Sequence, residues 1–237
     1  MTDDEIRETA IEFAKRNKNR IARELTDKTT YAPDTAPVSI FMAGSPGAGK
    51  TEFSKALITL LEVRTGLRAV RIDNDEIRPL IPGYTGSNSY LFQGATTLIV
   101  EKMHDLALHN GQSFIMDNTF TNFEKGTDNI RRSLGKERPI LIFYLYQKPE
   151  VAWRFTQARE ATEGRNIPKG AFIEQFLGAR HTVAKIIDRF GDRVIAFLVK
   201  KDFEKNTLEG IYRVVESQEI DRYIPEEYTE EKLQECL

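Results

Sequence analysis

The stretch Gly44-Ser45-Pro46-Gly47-Ala48-Gly49-Lys50-Thr51 satisfies G-x-x-x-x-G-K-[ST] at every fixed position. Its glycines permit positive φ and close backbone approach, so successive N–H groups can converge on phosphate oxygens. A helix starting at the loop adds its positive end at the same place. Lys50 is then placed to reach the β and γ phosphates of ATP, and the Thr51 hydroxyl to ligate Mg2+. The competing reading is an ordinary glycine-rich turn; a strand before the loop and a helix after it argue for the phosphate cradle.

Two further clusters suit phosphoryl transfer. The run Ile72-Asp73-Asn74-Asp75-Glu76-Ile77-Arg78 ends a predicted strand, and a carboxylate at the carboxyl edge of a parallel sheet faces the crevice where ligands bind. Transfer to an alcohol needs a group that orients the hydroxyl and accepts its proton. Asp75 is the candidate; Asp73 with Glu76 has the spacing of a capping box for a short helix. Arg154 and Arg159 fall on a predicted helix opened by Pro149, and Arg165 follows Gly164. Planar guanidinium groups stabilise the charge of a moving phosphoryl group, and arginines on a glycine-containing segment suit a closing lid. Arg78 can contact substrate phosphate or simply hydrate beside Asp75.

These residues need a scaffold that brings strand ends together. Short β-rich runs at 38–43, 69–73, 113–117, 140–146 and 193–199 alternate with helix-compatible stretches at 51–64, 90–110, 123–134, 149–163 and 169–190. The runs ILIFYLY and VIAFLV are apolar on both faces, as covered parallel strands are. The alternation predicts an α/β fold of the P-loop nucleotide-kinase kind, with a parallel five-stranded sheet flanked by helices. Residues 1–237 read as a single domain: an N-terminal helix within 1–30, an α/β core over 38–200 and a helical tail over 201–237.

Composition narrows the partners. The 237 residues carry 34 Lys+Arg and 36 Asp+Glu, a formal net charge of −2, which disfavours bulk binding of a long polyanion. No apolar run is long enough to span a bilayer. The acidic opening MTDDEIRETA lacks the features of a secretory signal, and the one cysteine, Cys236, excludes an intrachain disulfide. A cytoplasmic setting is expected. His104, His109 and His181 lack metal-ligand spacing, and the basic run 131–138 reads as a solvated turn rather than a nucleic-acid patch.

Taken together, GSPGAGKT at 44–51, IDNDEIR at 72–78, MDNTFTN at 116–122 and AREATEGRNIPK at 158–169 resemble the zeta toxin family, the kinase components of bacterial toxin–antitoxin systems. The resemblance implies ATP-dependent phosphorylation of a UDP-activated N-acetyl amino sugar at its 3′-hydroxyl, which starves cell-wall synthesis, and a cognate antitoxin partner. Position by position, it makes Lys50 and residues 44–51 the ATP site, Asp75 the base, and Arg159 and Arg165 the pair bracketing the transferring phosphate. Glu101 and Thr119 fall where the family lines the acceptor site. Thr121 stands where active members often carry Arg, and the lid arginines are more tightly spaced than in founding members. Those departures keep kinase chemistry and leave the acceptor open: another small nucleotide, a dinucleotide cofactor or a polynucleotide end are alternatives. A reading of another class is an ATP-binding interaction module with vestigial turnover. Beside the resemblance, Glu101 also reads as the polar face of helix 90–110, and Thr121 with Glu124 as a helix cap.

Overall fold

The five expected apolar runs form neighbouring strands of one sheet. The computed structural model describes residues 1–164, 166–202 and 207–237. β1 (Ser39–Ala43), β2 (Val70–Asp73), β3 (Phe114–Asp117), β4 (Ile140–Tyr146) and β5 (Ile195–Asp202) run parallel, a sixth strand, β6 (Thr207–Val214), closes one edge, and the order across the sheet is β2-β3-β1-β4-β5-β6. The chain goes to one side of β1 for β2 and β3, then to the other for β4 and β5. β1 is therefore central, with Ser39 facing Phe114 on one side and Ile140 on the other.

Both faces are covered, which is why the strands are apolar throughout rather than alternating. Phe41, Phe114, Met116, Ile142 and Tyr144 join the larger core. Ile40, Met42, Ile115, Phe143 and Leu145 join the smaller one, against Phe53 and Leu57 of α2 (Lys50–Thr65). On the larger side α1 (Asp3–Leu25) packs along α4 (Gln93–His109) and buries Ala10, Ala14, Ile21 and Ala22. Thr2 caps α1 in a reciprocal box with Glu5, which satisfies donors that the first turn leaves open.

The C-terminal part departs from expectation. In place of a helical tail from residue 201, β5 continues to Asp202 and β6 (Thr207–Val214) returns antiparallel beside it. Only then come α8 (Glu219–Tyr223) and α9 (Glu230–Cys236), whose Leu233 is buried. β6 is an edge strand with Leu208 and Ile211 both 47% exposed, so it lacks the buried alternation by which a strand is recognised. Among the described residues no helix is long and apolar enough to cross a membrane.

Candidate functional site

The loop 44–49 leaves β1 and enters α2 through Gly49, which caps the helix in the left-handed region at φ 81°. Gly47, at φ 71°, is required for a second reason: a Cβ there would overlap the Ala152 carbonyl oxygen. The loop is anchored from the next strand connection, where Gly44 N–H donates to the Thr119 carbonyl at 3.2 Å. Lys50 Nζ donates back to the Gly44 and Ser45 carbonyls at 3.0 and 2.7 Å. Ser45 and Ala48 are buried, while Pro46, Gly47, Gly49, Lys50 and Thr51 line a cavity of about 770 Å³.

Opposite the loop, β2 ends in α3 (Asn74–Ile77), capped by Asp73, whose Oδ1 accepts from Asp75 N–H at 2.9 Å. The predicted cap is real, but Glu76 does not complete a box; its carboxylate pairs with Arg71. Asp75 points into the cavity and is 30% exposed. Its Oδ1 accepts from Arg78 Nη1 at 2.6 Å, and its Oδ2 lies 3.8 Å from Arg159 Nη2. Arg78, itself buried, donates through Nη2 to Gln93 Oε1 at 2.6 Å.

The third wall follows β3. Asn122 caps α5 (Phe123–Leu134) by accepting from Lys125 N–H, so the cap falls one residue after Thr121. Phe120 adopts φ 57°, rare for an aromatic residue, and packs into the core against Phe41. Thr119 and Thr121 on either side of it both line the cavity, their hydroxyls 3.4 Å apart. α6 (Pro149–Glu163) contributes Phe155, Thr156 and Arg159, and α7 (Lys169–Phe190) contributes Glu174 and Gln175.

Of the sequence-predicted residues, the fold gathers Lys50, Thr51, Asp75, Arg78, Thr119, Thr121 and Arg159 around one cavity. Glu101 is not brought there: its carboxylate pairs with Lys125 at 2.9 Å and Arg132 at 3.2 Å on the outer side of α4 and α5. The polar-face reading of that residue is the one the helix realises. Arg165 lies outside the described residues. Sequence reasoning missed Gln93 and the α7 pair, and it also missed a charge cluster at the strand ends. Arg71 Nη2 donates to Asp73 Oδ2 and Asp117 Oδ2, both at 2.6 Å, and its Nε donates to Ser54 Oγ at 3.1 Å. A charged residue inside a four-residue strand was the one available signal.

Burial raises the Asp73 carboxyl to about 6, with the neighbouring charges of Asp75 and Asp117 adding to it. Burial works against the Arg71 charge as well, but the carboxylates of Asp73, Asp117 and Glu76 outweigh it and hold the guanidinium above its usual value. The result is a compact array of fixed charges beside the glycine loop, held by its own ion pairs and so with little freedom to reorganise.

A central P-loop, an acid at the next strand end and an arginine-bearing helix over the cavity define a P-loop kinase. The family model of the zeta toxins matches residues 21–208, and the chain belongs to that family. No curated protein matches the sequence. Among solved structures, the chain is similar to one from the PezAT chromosomal toxin–antitoxin system of Streptococcus pneumoniae, with 16% identity and a TM-score of 0.69 over all of this chain and 94% of that one. It is also similar to a chain of the AvrRxo1-ORF1:-ORF2 complex with ATP (15% identity, TM-score 0.61, 93% of this chain and 71% of that one). A putative kinase from Chloroflexus aurantiacus matches at 16% identity and TM-score 0.51, over 85% of this chain and 98% of that one. At such identities the likeness is one of fold.

Proposed function

We propose that the protein is an ATP-dependent kinase that phosphorylates the 3′-hydroxyl of a UDP-N-acetyl amino sugar, UDP-N-acetylglucosamine, acting as a cytoplasmic toxin opposed by a cognate antitoxin. The observation that carries this reading is the position of Asp75, which lines the same cavity as Lys50 and Thr51 and is flanked by Arg78 and Arg159. Family membership supports the acceptor class.

Loop N–H groups and Lys50 hold the β and γ phosphates. Asp75 orients the acceptor hydroxyl and takes its proton as the oxygen attacks the γ phosphorus. The bond from that phosphorus to the β–γ bridging oxygen breaks, and ADP leaves. Arg159 stabilises charge on the moving group, and Arg165 is proposed as its partner in that role. The hydroxyl of Thr51 and carboxylate oxygens on the same cavity are hard donors that suit Mg2+. Thr51 would hold the ion together with phosphate oxygens and water, and the ion would neutralise phosphate charge.

Incubation with ATP, Mg2+ and UDP-N-acetylglucosamine should yield a product heavier by one phosphate. Asp75→Ala should lower turnover about 10³-fold while ATP still binds. The absence of a phosphorylated product from any UDP-sugar would reject the acceptor assignment, and a metabolite mixture with labelled ATP would then reveal the true one.

A further inference from the structure

We propose that Arg71 is a positioning residue for phosphoryl transfer, tying the P-loop helix, the β3 strand end and the Asp75 helix into one rigid frame. It rests on the kinase reading above, because the geometry it fixes is that of the proposed base.

The four contacts of one side chain reach the elements that carry Lys50, Thr51 and Asp75. Nε donates to Ser54, one turn along α2 from Lys50 and Thr51. Nη2 is shared between Asp117 at the end of β3 and Asp73 at the end of β2, at 2.6 Å each. Nη1 pairs with Glu76 on α3. Ser54 Oγ in turn donates to Asp117 Oδ2 at 2.8 Å, which closes the ring. The Arg71 side chain is 8% exposed and is not among the residues that line the cavity, so it acts on substrate only through these neighbours.

The critical link is Asp73. One of its oxygens is held by Arg71, and the other accepts from the Asp75 amide, so the guanidinium fixes the cap from which α3 starts. α3 is only four residues long and has too few internal hydrogen bonds to hold its own direction. Arg71 supplies that direction, and a planar fork does so better than an ammonium, which cannot hold Ser54, Glu76 and two carboxylates at once. A hydrophobic residue at 71 would leave Asp73 and Asp117 facing each other without a counter-charge.

The test compares Arg71→Met and Arg71→Lys with wild type, using ATP and UDP-N-acetylglucosamine as probes and reading kinetics, thermal unfolding and amide exchange over residues 74–78. Arg71→Met should lower kcat about 100-fold, the scale for a catalytic group displaced by about 1 Å, with KM for ATP within about threefold. Amide exchange at 74–78 should quicken about tenfold without a matching rise elsewhere. Arg71→Lys should fold, and its kcat should lie between the two. If Arg71→Met does not fold, an approximately tenfold lower kcat in Arg71→Lys, with faster exchange confined to 74–78, carries the proposal. A folded Arg71→Met with wild-type kcat, an Arg71→Lys indistinguishable from wild type, or exchange at 74–78 that stays unchanged would each overturn it. Should wild type transfer no phosphate to UDP-N-acetylglucosamine, the acceptor assignment falls, while amide exchange, measured without substrate, still decides the role of Arg71.

Discussion

The two edges of the sheet each bury an arginine and use it in opposite ways. At the carboxyl edge Arg71 meets carboxylates, and its charge is matched by charge. At the amino edge Arg138, 4% exposed, lies over the Phe114 ring at 5.0 Å and donates to the Val38 and Gln112 carbonyls. Gln112 donates to the Thr26 and Tyr31 carbonyls, and Asp34 accepts from Ser113 N–H, so the amino edge is laced by main-chain dipoles. Burial lowers Arg138 to about 10, with only the charge of Asp34 opposing it. Arginine in a dipolar setting fastens strands. Arginine among acids, beside an open cavity, arranges a reaction.

Catalysis and stability should separate most sharply at the phosphate loop. Lys50→Ala should reduce phosphotransfer at least about 10³-fold, with the unfolding midpoint shifted by less than about 3 °C, as measured by product mass and calorimetry. Arg138→Ala should do the reverse: a loss of about 3 kcal/mol in urea unfolding, with kcat per folded molecule within about twofold of wild type. A catalytic defect without destabilisation in Arg138→Ala would erase the distinction between the edges.

At neutral pH the least effect is expected at His104, which is fully buried between Phe41 and Phe114, neither ring nitrogen having a hydrogen-bond partner among the described residues. Burial lowers it from 6.5 to about 3, helped by the charges of Arg132 and Arg138. The unfolded chain therefore takes up a proton that the folded one refuses, and stability falls as pH drops below 6.5, by up to about 1.4 kcal/mol per pH unit. Asp73, raised to about 6, works in the opposite sense between 6 and 3.8 and is present in both proteins. His104→Leu should thus match wild type at pH 7 and gain on it progressively towards pH 4 in denaturant titrations. A constant gap across that range would show that His104 charges inside the fold.

Most of the fold was legible because its signals are local. The loop at 44–51 is a contiguous code, and helices such as Phe123–Leu134 and Pro149–Glu163 begin and end where their caps and prolines say. β6 was not legible, since an edge strand exposes apolar residues such as Leu208 and spaces them irregularly around Gly210. The site divides along the same line. Asp75 and Arg159 stand in recognisable runs, whereas the Arg71 cluster joins residues 46 positions apart in sequence, which only the strand order brings together. Glu101 carried a position but no partner; Lys125 and Arg132 on α5 claimed its carboxylate.

The lysine of the loop already has oxygen partners of its own chain, the carbonyls of Gly44 and Ser45. On the proposed ATP reading, nucleotide binding is an exchange reaction, in which phosphate oxygens would replace carbonyls around one ammonium. The affinity would then be the difference between two well-coordinated states, and a monovalent anion would gain little by entering. A polyphosphate chain, which would engage the loop amides and the lysine at several points, would gain most. On that reading the self-coordinated lysine would select ligands by charge before any contact with the base or sugar.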